Sequence, residues 1–311
     1  MFKLRYLFVF FISVSFFANI MADEKKLVKI GAGNIMEGNY SIALGLCRYI
    51  SNTNPEASCE VISTLNSLEN IDLLRRKVID YAIVQSSVAV DAYKGAGRFI
   101  DKGPFHDMYQ LLNLYDSIFT VVVRDDARIL VFKDLEGKKI SNGLEGSDST
   151  VAYKALEAFY DFKKPALDIE INPEYYAREL CDKEVDGIMM MTGHPNALVN
   201  LIANTCNVEF ISLEEDKVDS LIKNNNAFQK KVVRAGLYPS IDNDQFSISA
   251  PMILVATTEA DPVIVQNLLD YISNHLEDFR LLHPVLYEFN NEYFQKDFVL
   301  PNFDSTKAKN D

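Results

Sequence analysis

The chain has 311 residues, 48% of them hydrophobic, and carries 31 Lys and Arg against 44 Asp and Glu, for a formal net charge of −13. That acidity argues against a nucleic-acid partner, because phosphate binding needs a concentrated basic face. Length and apolar content suffice for one large domain or two of ordinary size.

Residues 1–22 read as a secretory leader. Lys3 and Arg5 form its basic start, Leu7–Ala18 its apolar core, and Ala22 a small residue before a cut ahead of Asp23. The apolar run is short for a bilayer span, so retention as an anchor is the weaker alternative. Removing Lys3 and Arg5 with the leader takes the charge to −15. No Cys near the cut offers a lipid attachment point, and no later run approaches the ~18 apolar residues of a span. The exported chain is therefore expected to have no stable membrane insertion.

In chain order, Leu27–Gly31 is a strand candidate, followed by Gly31, Gly33 and Gly38 in a loop. Ile42, Leu46, Tyr49 and Ile50 recur at helical spacing. Glu60–Thr64 reads as a strand, Leu68–Lys77 as a helix and Tyr81–Val84 as a third strand. Gly95–Pro104 is a loop, and Leu111–Tyr115 and Phe119–Arg124 are apolar runs of buried-strand type. Asn142–Thr150 is a small-residue loop leading into a helix over Val151–Phe162. Helices at Tyr175–Lys183 and Ala197–Ala203 alternate with strands at Gly187–Met191 and Val208–Ser212. Glu214–Asn226 is polar and helical or loop-like, and Phe246–Thr257 is a long strand. Asp261-Pro262 opens a last long helix whose apolar face runs from Val265 to Phe279, and Ser305–Asp311 reads as a disordered tail. The alternation predicts an α/β fold in two lobes with mainly parallel pairing. The first lobe would be 27–118 plus 258–311 and the second 125–247, joined by hinge strands at 119–124 and 248–257.

Cys47, Cys59, Cys181 and Cys206 would meet an oxidising compartment after export, where pairing is the default. Three connectivities are open. The local one, Cys47–Cys59 and Cys181–Cys206, is favoured because each bridge would tie a helix to a nearby strand. No Cys-x-x-Cys spacing is present, the four His have no metal-ligand spacing, and no cofactor is expected.

The same local unit occurs three times: a strand, a loop of small polar residues, then a helix start. The loops are 31–40, 63–70 and 142–150. A helix start presents free N–H groups and partial positive charge, so it attracts carboxylate or phosphate without a basic residue. Each loop taken alone is most simply a cap, with Ser67 and Ser149 as ordinary N-cap residues. Gly31, Gly33 and Gly38 make neither a dinucleotide fingerprint nor a phosphate-binding Walker loop. His194, in Thr192-Gly193-His194-Pro195, is a candidate either for lining a site or for a structural turn.

Together these pieces resemble the TAXI family of solute-binding receptors, which serve tripartite ATP-independent periplasmic (TRAP) transporters. The matching motifs are Gly31-Ala32-Gly33 with Gly38-Asn39-Tyr40, the run Ser63–Asn70, Asp80–Ser86, and Ala92-Tyr93-Lys94-Gly95. Leu114-Tyr115, Asp134–Lys138, Gly146–Thr150, Asp186-Gly187 and Gly193-His194-Pro195 extend the match through nearly the whole chain. The resemblance implies a two-lobed, type II periplasmic-binding-protein fold that closes over a small organic anion, such as glutamate or a dicarboxylate, without catalysis. It implies a periplasmic location, TRAP permease membrane subunits as partners, and ligand contacts at Tyr40, Ser67, Asn70, Gln85, Ser147, Ser149, Thr150 and His194. Two departures stand out. Leu65 and Asn66 replace two glycines of the family pattern, adding bulk near the crevice, and Asp148 enters a loop that normally carries no charge. The alternatives are the same fold serving another ligand class or an ATP-driven importer, a hydrolase pairing Ser147 with His194, and a surface protein without a ligand.

Overall fold

The computed structural model describes residues 25–35, 38–224 and 227–303. The leader at 1–22 and the tail at 305–311 lie outside the described residues.

In the first lobe, β1 (Lys26–Gly31) lies parallel between β2 (Ala57–Ile62) and β3 (Tyr81–Gln85). All five residues of β3 are buried, which suits a strand covered on both faces. The helices α1 (Gly38–Thr53), α2 (Ser67–Arg75) and α3 (Ser86–Lys94) follow these strands. Gly95, at φ +66°, ends α3 in the left-handed conformation that glycine adopts without strain. No helical period stands out over 86–94 in the sequence, because five of the nine residues are buried and the segment shows little polar contrast.

Two long strands join the lobes. The strand β4 (Tyr109–Arg124) merges the two apolar runs that the sequence suggested as separate strands. In the second lobe, β5 (Lys139–Ser141), α4 (Asp148–Phe159), β6 (Leu167–Asp168), α5 (Tyr176–Cys181), β7 (Gly187–Thr192), α6 (Ala197–Thr205) and β8 (Val208–Phe210) follow in order. Next come α7 (Glu215–Asn224), β9 (Gln229–Val233) and β10 (Gln245–Ala256), the second long strand. The chain then returns to the first lobe as α8 (Pro262–Asn274), α9 (Leu276–Arg280) and α10 (Asn291–Phe294). The single long helix expected here breaks at His275, whose φ of −130° and ψ of 47° are not helical.

The strand order is β2-β1-β3-β10-β4-β7-β5-β6, with β8 beside β4 and β9 beside β10. Pairing is not mainly parallel as expected. The strand β10 runs antiparallel to β3, β4 and β9, and β4 runs antiparallel to β7 and β8. The reason is topological: strands that carry the chain across and back must oppose each other and their neighbours.

The core changes sides within these strands. In β4, Leu111, Leu112 and Leu114 pack in the first lobe, whereas Ile118 and Phe119 pack in the second. In β10 the change falls between Ala250 and Met252. Pro251 lies at this changeover. Pairing with β9 ends at Ser249 and pairing with β3 begins at Met252, so the missing proline N–H breaks neither ladder.

Both disulfides have the local connectivity. Cys47 in α1 joins Cys59 in β2, and Cys181 at the end of α5 joins Cys206, just past α6.

Candidate functional site

The helix starts of α2 and α4 come from opposite lobes and meet. Ser67 Oγ donates to Asp148 Oδ2 at 3.0 Å, while Gln85 N donates to the same Ser67 hydroxyl at 3.0 Å. The true N-caps are Asn66 and Ser147, not Ser67 and Ser149. Asn66 accepts from Glu69 N, and Ser147 accepts from Thr150 N. The Asn-x-x-Glu and Ser-x-x-Thr spacings are the local pattern that marks them. Ser67 and Asp148 are thereby the first helical residues, and their side chains project across the cleft.

Asp148 is part-exposed as a residue, but its Oδ1 is sealed from solvent and has no hydrogen-bond partner. Burial pushes its carboxyl up to about 6, opposed by the Ser67 hydrogen bond. Among the described residues no ion pair reaches it. Leu65 is 73% exposed and packs into neither lobe's interior.

The remaining candidates fall into two groups. Tyr40, in the first turn of α1, packs against the first-lobe core, and Gln85, at the end of β3, is fully buried. Ser87 Oγ donates to Gln85 Oε1 at 2.7 Å, while Gln85 Nε2 is sealed without a partner. The others are engaged in holding the loops. Asn70 Oδ1 accepts from Thr64 Oγ1 at 2.7 Å and its Nδ2 donates to Ile83 O at 2.9 Å. Thr64 in turn accepts from Gly33 N at 2.8 Å, linking the first two loops. Thr150 Oγ1 sits 3.0 Å from Asn142 Oδ1, Leu144 O and Ser147 Oγ, and Ser149 Oγ accepts from Met191 N. Thr64 and Asn142, members of the polar loops but not of the expected contact set, support the turns from within.

His194 is likewise engaged by the protein. Tyr238 OH accepts from Asn196 N at 2.7 Å and lies 2.7 Å from His194 Nδ1, while Thr120 Oγ1 donates its own proton to Ile118 O at 3.2 Å. Nε2–H then donates to Thr120 Oγ1 at 2.8 Å, which assigns the neutral Nε2–H tautomer. Ser147 Oγ is held near Thr150, so the Ser147–His194 pair considered for hydrolysis is not formed. No local sequence pattern announces Tyr238, which lies 44 positions from His194.

Burial pushes His194 down to about 4 from 6.5. The unfolded chain therefore binds an extra proton between about pH 6.5 and 4, and stability contributed by His194 is lost as pH falls through that window. Asp148 acts oppositely. Its native pKa of about 6 lies above the ordinary 3.8, so its contribution is lost as pH rises between those values. In the wild type the two slopes oppose each other. Asp148→Asn is expected to melt at steeply falling temperature on acidification from about pH 6 to 4, more steeply than wild type. Parallel melting curves for the two proteins over this range would contradict the assignment.

The lobes also meet at Gly193. A Cβ there would lie 2.6 Å from Tyr115 Cε2 and 2.8 Å from Val285 Cγ1. Tyr115 is itself held by Asn39 Oδ1, which accepts from its hydroxyl at 2.7 Å. Gly193→Val is therefore expected to hold the lobes apart, enlarging the radius of gyration in small-angle scattering. An unchanged radius with unchanged ligand affinity would show that the contact yields.

Two lobes, two crossing strands and facing helix starts define the class of fold: that of the type II periplasmic-binding proteins. The chain belongs to the NMT1-like family, whose pattern matches residues 30–303. Similar solved structures include the ligand-binding component of an ABC-type import system from Staphylococcus aureus, at 11% identity and TM-score 0.50 over 86% of this chain and 80% of that one. XAC2383 from Xanthomonas citri, bound to ATP, is 14% identical with TM-score 0.51 over 91% and 93%. An ancestral arginine-binding protein bound to arginine is 14% identical with TM-score 0.50 over 85% and 99%. At these identities the likeness is one of fold.

Proposed function

We propose that this chain is an exported periplasmic receptor that closes over one small organic anion and delivers it to TRAP membrane subunits. The anion is a carboxylate, such as glutamate or a dicarboxylate, and no reaction is performed on it. The observation that supports this reading is the meeting of Ser67 and Asp148. It brings two helix starts, 81 positions apart in the chain, to one point in the cleft. A ligand touching both lobes stabilises the closed arrangement over the open one by its difference in affinity. Helix starts favour negative charge there. The lobe boundaries are taken as 27–118 plus 258–311 and 125–247, hinged in β4 and β10. Delivery to TRAP subunits rests on the order of the TAXI-like motifs, and the likeness in fold to an ABC import component keeps an ATP-driven importer as the second reading. Co-purification with membrane subunits separates the two.

Native mass spectrometry of the purified protein is the direct test, with a retained small acid as the expected result. A bare protein that shows no thermal shift across a panel of small acids would refute the receptor reading. Ser67→Ala is expected to weaken binding by about 1–3 kcal/mol in calorimetry, the scale of a stranded polar partner. Unchanged affinity would place the ligand elsewhere.

A further inference from the structure

The two disulfides sit in unlike surroundings. Cys47 is buried in the first-lobe core, and Cys59, though part-exposed, packs against the same core. Cys181 and Cys206 are both part-exposed, and both stand in the wall of a cavity of about 260 Å³ on the second lobe. Lys183, Thr205 and Asn207, all exposed, line the same cavity, so it is reached from solvent. Thr205 Oγ1 lies 3.9 Å from Cys181 Sγ and 3.8 Å from Cys206 Sγ, which places both sulfurs beside an exposed side chain.

Thiol exchange on a folded protein needs a route for a thiolate to reach a sulfur, and a native structure that survives the open bridge. The cavity supplies the route. Packing supplies the second condition. Tyr176 and Leu180 of α5 share one buried cluster with Val199, Ile202 and Ala203 of α6, so the two helices stay together without the covalent link. Charge does not select the site. Arg124 and Lys183 in the wall stand with Asp125 and Asp126, and both cations pair with Asp126.

We propose that Cys181–Cys206 is a thiol-exchange site: a small thiol enters the cavity and opens this bridge on the folded chain, while Cys47–Cys59 stays closed. The entering thiolate forms an S–S bond to Cys181 Sγ, the Cys181–Cys206 bond breaks, and Cys206 leaves as a thiolate that takes up a proton. A second thiol then displaces the first from Cys181. Two small thiols become one disulfide, and the bridge gains two electrons and two protons. The proposal is independent of what the cleft between the lobes binds.

The test treats the folded, oxidised protein with reduced glutathione and quenches with iodoacetamide. Each cysteine is read by peptide mass spectrometry while circular dichroism follows the fold. Cys181 and Cys206 are expected to take glutathione or alkyl label at least about tenfold faster than Cys47 and Cys59, with the dichroism unchanged. Asn207→Trp, which puts bulk into the cavity, should slow this bridge at least about fivefold and leave the other at its wild-type rate. Thr205→Phe takes its place if Asn207→Trp fails to fold. Equal rates for the two bridges, faster opening of Cys47–Cys59, or dichroism lost in step with labelling overturns the proposal. So does a bulky cavity variant that exchanges as fast as wild type, or a protein in which no cysteine reacts until it is denatured.

Discussion

Phe132→Ala is expected to lower folding stability by about 3–5 kcal/mol, the range for truncating a fully enclosed aromatic side chain. Phe132 has no solvent exposure and stands at the centre of the second-lobe core. Its ring lies 4.9 Å from that of Tyr160, 5.6 Å from Phe162 and 6.2 Å from both Phe119 and Tyr153. Those neighbours come from β4, from α4 and from the segment after α4, so no single element can shift to refill the space. Leu130, two positions earlier and 84% exposed, is the control: Leu130→Ala should change stability by less than about 0.5 kcal/mol. Urea midpoints measure both. A loss below about 1 kcal/mol for Phe132→Ala would show that the lobe collapses onto the gap.

Breaking the disulfides ranks second. Each closes a loop in the unfolded chain, so its removal restores entropy to that state. Cys47–Cys59 spans 12 positions and should contribute about 3 kcal/mol. Cys181–Cys206 spans 25, roughly doubling the loop and adding about 0.6 kcal/mol more. Both bridges stay within one lobe. Reduction should therefore lower the denaturation midpoint and leave ligand affinity unchanged wherever the protein is folded. A midpoint that does not move on reduction would contradict the loop argument.

Much of the architecture was legible in residue order. The strands β1, β3 and β7 are short apolar runs between turn residues, β10 is a long one, and Asp261-Pro262 marks the start of α8 by its chemistry alone. The disulfide pairing was also within reach, because each cysteine pair lies close in sequence. Other features were not legible. The helix α3 has five buried residues among nine and lacks a polar stripe to reveal its period. Pairing direction was missed because hydrophobic patterning marks which residues are buried, and not which way a neighbouring strand runs.

At the site the division follows the distance over which an interaction acts. Sequence by itself determined the polar loops before α2 and α4 and the kind of residue that caps them, although the caps, Asn66 and Ser147, lie one and two positions before the serines expected. These depend on contacts three or four positions apart, where backbone geometry leaves few choices. Only the tertiary structure decided which partners the polar side chains take. Asn70, Thr150 and His194 are held by Thr64, Asn142 and Tyr238, while Ser67 reaches Asp148 on the other lobe. A polar group commits to whichever partner the folded chain brings within about 3 Å, and that choice is made across the sheet, where local sequence has no influence.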